Sequence, residues 1–99
     1  MEIRMNQAFT NIDGTVLKKN ENEFFDLKGA CVDALTVNNP EEKLSGEDKI
    51  KRWDLAVKIY NTSSEISLSS EEISLLKKLI SNIFGTIITA QSWKMLEGE

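Results

Sequence analysis

The sequence predicts an α+β fold that is mainly α: about four helices with a small N-terminal β-hairpin, in a single compact domain. Three observations lead there. From Leu27 onward, apolar residues recur at three- and four-residue spacing behind good helix-capping residues. Before that point the strongest local signals are turns, above all Asp13-Gly14, whose glycine supplies the positive φ of a tight turn. Finally, 99 residues with 40% hydrophobic and 28% charged side chains suit one globular core; the chain is too short for two and too apolar for disorder. The expected division is a β-like segment over residues 1–26 and a helical part over 27–97.

The elements follow in order. After the turn at Asn11-Ile12-Asp13-Gly14, Thr15-Val16-Leu17 is a short strand. The polar run Lys18 to Asn22 is a second turn and Glu23-Phe24-Phe25 the partner strand, giving a hairpin over residues 15–25. Asp26 caps a first helix whose apolar positions are Leu27, Ala30, Cys31, Ala34 and Leu35. The lone Pro40, in Asn38-Asn39-Pro40-Glu41-Glu42, marks a loop. Ser45 then caps a second helix, with Glu47 and Asp48 favourably placed in its first turn. Ile50, Trp53, Ala56, Val57 and Tyr60 are expected to form its core face, widened by Leu55 and Ile59, with Asn61 as C-cap. Lys49, Lys51, Arg52, Asp54 and Lys58 are expected in solvent.

Ile66 and Leu68 form a short extended lead-in to the capping-box pattern Ser69-Ser70-Glu71-Glu72. The third helix buries Ile73, Leu76, Leu79, Ile80, Ile83 and Phe84 and stops at Gly85, read as a C′ glycine. A fourth runs from Thr86 to Leu96, with Ile87, Ile88, Trp93, Met95 and Leu96 as its apolar content.

Composition removes several classes of function. With no histidine, the chain lacks the side chain that titrates near neutrality unaided and the commonest catalytic zinc ligand. A net charge of −4 argues against a nucleic-acid binder working by phosphate neutralisation. One cysteine, Cys31, excludes an intramolecular disulfide; on the apolar side of its helix, with no histidine to act as its base and only Lys28 one turn earlier to lower its pKa, it is expected to be a buried structural thiol. No basic-then-apolar leader and no 20-residue apolar span is present, so a cytoplasmic location without membrane contact is expected.

Apparent catalytic motifs dissolve on inspection. Asn11-Ile12-Asp13-Gly14-Thr15 has the outline of a phosphatase D-x-D-G-T motif, but Asn11 stands where a nucleophilic carboxylate is required. An EF-hand placed on Gly14 would begin at Phe9 and end at Asn20, without two calcium ligands. The pairs Glu47-Asp48 and Glu71-Glu72 fall in first helical turns, where acidic residues serve the helix dipole, and adjacent helical residues diverge by about 100°. No enzyme, cofactor or metal is therefore expected. Three aromatic residues are the candidates for contacting a partner: Phe24 and Phe25, whose rings must point to opposite faces of a strand, and Trp93 on the last helix.

Cys31-Val32-Asp33-Ala34-Leu35, Ser45 to Tyr60 and Ile66 to Ile80 together resemble small proteins encoded by tailed phages and prophages. The resemblance implies a phage-derived origin and a bacterial host cell; it carries over no functional residue. The leading expectation is a non-enzymatic accessory protein acting through protein–protein contacts, by binding a host or phage protein or by self-association. A second is a particle-assembly component such as a tail-assembly chaperone or head–tail joining protein. A third is a weak nucleic-acid binder using the basic face from Lys49 to Lys58.

Overall fold

In the computed structural model, which describes residues 2–37 and 42–98, three short β elements precede the first helix. They are β1 (Glu2–Arg4), β2 (Lys18–Asn20) and β3 (Glu23–Phe24), followed by α1 (Leu27–Thr36) and α2 (Gly46–Tyr60). The chain continues through β4 (Glu65–Ser67), α3 (Ser70–Ile83) and α4 (Thr86–Leu96). The fold is α+β and mainly α, with four helices and the small antiparallel hairpin β2–β3. The loop expected around Pro40 lies outside the described residues.

Local chemistry sets the helix starts. Asp26 Oδ1 accepts from the Gly29 N–H at 2.9 Å and Ser45 Oγ from the Asp48 N–H at 3.1 Å. Ser69 completes a full capping box: its Oγ accepts from the Glu72 N–H at 3.1 Å, and its own N–H donates to Glu72 Oε1 at 2.8 Å. Each satisfies a helix-terminal amide that the helix itself cannot. Two more amides, those of Leu27 and Lys28, donate to the carbonyls of Gln7 and Met5, so the N-terminal segment is tied directly onto the start of α1.

The hairpin lies inside the expected span but pairs later than the sequence suggests. Lys18 faces Phe24 and Asn20 faces Glu23, so the connecting turn shrinks to Glu21-Asn22. Thr15 to Leu17 also meets the preceding segment: Val16 is bridged to Thr10, and the Leu17 N–H donates to the Phe9 carbonyl at 2.8 Å. The Leu17 carbonyl accepts from the Phe25 N–H at 2.9 Å, so Leu17 belongs to both pairings. At the tip, Gly14 has φ 89°, as an Asp-Gly turn requires, and Asp13 accepts from both the N–H and hydroxyl of Thr15. These bonds hold the Asp13 carboxyl below its ordinary pKa.

One strand is absent from the sequence reading. β1 pairs antiparallel with β4, placing Ile3 opposite Ile66, both buried. Met5 and Phe9 follow Ile3 into the core, where they are fully enclosed with Leu27, Cys31, Ile59, Leu76, Ile80 and Leu96. Helix α1 is central, packing on α2, α3 and α4. Cys31 is buried within it, and desolvation, helped by the nearby Asp26 charge, pushes its thiol up to about 12.

Three expectations about side-chain placement are overturned. Ile50, Trp53, Val57 and Tyr60 are not core: α2 packs chiefly against α1 through Leu55, Ala56 and Ile59, so its other apolar face has no helix over it. Ile83, at the free end of α3, is likewise exposed. Arg52 leaves the solvent face to form a two-pronged ion pair with Glu42, both bonds at 2.8 Å. Gly85 also has a different role. Its φ of −83° is ordinary, and it serves as the N-cap residue of α4 after α3 ends in extended backbone at Phe84.

Candidate functional site

Helix α2 carries seven apolar residues in fifteen positions, and at 100° per residue they span more than half of its circumference. A surface helix needs only a stripe somewhat over 100° wide to face its core. The surplus forms a second stripe at spacing three, four, three: Ile50, Trp53, Val57 and Tyr60, with 61, 63, 37 and 68% of their surfaces exposed. Two large aromatic rings and two branched aliphatic side chains at such exposures offer on the order of 500 Å². That is near the upper end of what a monomeric surface carries in one patch.

Tyr60 also lines a groove formed with the hairpin and α1, shared by Phe24, Phe25, Lys28, Gly29 and Val32. Lys28 anchors it: its ammonium donates to the Tyr60 carbonyl at 3.1 Å and lies 6.0 Å from the tyrosine ring centroid. That bond joins the first turn of α1 to the last residue of α2. Phe24, 61% exposed, lines this groove together with Tyr60 and the charged Lys19, Glu23, Asp26 and Asp33.

The other two aromatic candidates are engaged within the protein. Phe25 is half-buried; its ring lies edge-on to Phe9 at 5.3 Å and tilted against Phe84 at 5.6 Å, closing the core beneath the hairpin. Trp93 joins α4 to α3. Its Nε1–H donates to the Lys77 carbonyl at 3.1 Å, and the Lys77 ammonium sits 5.2 Å from the ring centroid while binding Glu97 at 2.6 Å. The remaining 40% of its surface is open. Of the three candidates, Phe24 and Phe25 share a groove with Tyr60, and Phe24 is the exposed one.

The basic face of α2 is partly spent on the fold. Arg52 belongs to Glu42, whose carboxyl is held below its ordinary pKa by the guanidinium, and Lys58 donates to the Ser67 carbonyl at 3.2 Å. Lys49 and Lys51 stay exposed. Neither Glu47–Lys51 nor Asp54–Lys58 closes as an ion pair among the described residues. Among those residues, no three His, Cys, Asp or Glu side chains are grouped to hold a metal, and no helix is long and apolar enough to cross a membrane.

The stripe was missed in the sequence because its spacing is that of a buried face. The available signal was the excess width of apolar coverage around α2, which one neighbouring helix cannot bury. Comparisons with protein-family models, with curated proteins and with solved structures find no match.

Proposed function

We propose that this protein is a non-enzymatic interaction module that binds another protein surface through the outward stripe of α2. The supporting observation is the set Ile50, Trp53, Val57 and Tyr60, four large side chains aligned on one rigid helix and left in water. Exposing them opposes the hydrophobic effect, and burying them against a partner recovers it. Tryptophan and tyrosine are also the side chains most often found to dominate interface energetics. In keeping with the resemblance to small phage-encoded proteins, the module serves as an accessory factor of a phage or prophage within its bacterial host. The assembly-component reading uses the same face.

The test is photo-crosslinking in cells that naturally encode the chain. A photoreactive residue replaces Trp53 or, as a control, exposed Asn82 of α3. Protein adducts at position 53 that are absent at position 82 are expected. Equal labelling at both positions, or none at 53, overturns the proposal.

A further inference from the structure

Resting on the interaction reading above, we propose that the occupant of the α2 stripe is a second copy of this chain, the two helices lying parallel and in register about a two-fold axis. The spacing of the stripe is that of a heptad seam, with Ile50 and Val57 at its first core position and Trp53 and Tyr60 at its second. β-Branched residues at the first core position, with leucine at the second, favour two parallel strands; Ile50 and Val57 meet the first half of that rule, while Trp53 and Tyr60 stand in place of leucine.

Charge selects the same arrangement. Lys49 and Asp54 flank the seam on opposite sides, five residues apart. Neither side chain makes an ion pair or hydrogen bond among the described residues. In a parallel, in-register pair, the residue before one core position faces the residue five places later on the other helix. Lys49 of each copy then meets Asp54 of the other, twice by symmetry. An antiparallel pairing that matches Ile50 to Tyr60 instead brings the two Asp54 carboxylates towards each other, which like charge opposes. Joining two stripes of this size buries about 1,000 Å² in total, the lower bound for a specific interface, so the dimer is expected to be reversible and dependent on concentration.

The experiment uses the purified full chain. Sedimentation velocity from micromolar to millimolar concentration is expected to show a monomer–dimer equilibrium. Lys49→Glu or Asp54→Lys alone should weaken dimerisation about ten-fold, and the double exchange should restore it. Circular dichroism checks that each variant folds, as both positions are exposed. Under mild oxidation Ile50→Cys should link to itself across the two-fold axis, whereas Asn82→Cys should not; Cys31 is buried and contributes no background.

A chain that is monomeric throughout, or a dimer indifferent to both charge changes, overturns the proposal. So does an Ile50→Cys protein that links only when mixed with Tyr60→Cys, which would show the antiparallel pairing. If the chain is monomeric and position 53 still crosslinks to another protein in cells, the occupant is wrong and the interaction module stands. Absence of both signals removes the two together.

Discussion

Gln91 and Thr10, 81 residues apart, hold each other in both directions: the Thr10 N–H donates to Gln91 Oε1 at 3.0 Å, and Gln91 Nε2 donates to the Thr10 carbonyl at 2.8 Å. The side-chain amide thus acts as one more strand partner for the N-terminal segment, docking it on α4. Gln91→Ala leaves a part-buried backbone donor and acceptor unmatched. A loss of about 1–3 kcal/mol is expected from urea unfolding. A loss below about 0.5 kcal/mol, the range of ordinary surface changes, would mean the clip does not hold the two ends together.

Stability should fall in acid through Glu42 and Asp13. Both carboxyls are held below their ordinary values, Glu42 by Arg52 and Asp13 by Thr15. Their contribution is therefore present above the ordinary carboxylate range and is lost as pH drops through the lowered folded values. Glu42→Gln is expected to cost at most about 1 kcal/mol at neutral pH, since the pair is partly solvated, and to flatten the decline below about pH 4.5. Identical acid limbs in the two proteins would contradict this role.

Burial of Cys31 makes a prediction in the alkaline direction. Its folded pKa, about 12, lies above the ordinary 9.0, so its contribution is complete below 9.0 and is lost as pH rises towards 12. At mildly alkaline pH the native thiol should react with a disulfide reagent far more slowly than the thiol of the urea-unfolded chain. Comparable rates would place it at the surface.

Ser92 is fully buried in α4, and its hydroxyl has no hydrogen-bond partner within the described protein. Ser92→Ala removes that uncompensated burial and improves helix propensity. A gain of about 1 kcal/mol in unfolding free energy is expected. Destabilisation would show that the hydroxyl is satisfied, for example by an enclosed water.

The two apolar faces of α2 should respond oppositely to truncation. Ile59, fully buried, should lose about 2–5 kcal/mol on mutation to Ala; Ile50→Gln, in dilute monomer, should change stability by about 0.5 kcal/mol or less. Thermal unfolding at low concentration compares them. Equal losses would mean that the outer stripe is covered within the chain.

The elements most readable in the sequence were those made by neighbours. Asp26, Ser45 and Ser69 each cap their helix with a bond to an amide three residues on, so the pattern and the structure are local in the same sense. Cys31 and its companions on α1 likewise sit where a 3.6-residue period places them. The hairpin register was less readable, because Val16 and the Leu17 N–H pair with Thr10 and Phe9 outside the hairpin while the Leu17 carbonyl still accepts from Phe25 within it. β1 offered only a three-residue strand, with Ile3 and Met5 at alternate positions as its sole signal.

For the candidate interface the difference is sharper. Short-range chemistry in the sequence was enough for the class of fold, the four helices and their starts, because caps, turns and periodicity act over a few residues. It also showed the apolar positions of α2, though all of them read as one core face. Which of its faces turns inward depended on α1, whose last residue is ten positions before α2 begins. Ile3, Met5 and Phe9 entered the core, and Arg52 left the solvent face, through the same kind of assembly. Burial is decided by what arrives from elsewhere in the chain: Leu55, Ala56 and Ile59 met a neighbour, and Ile50, Trp53, Val57 and Tyr60 did not.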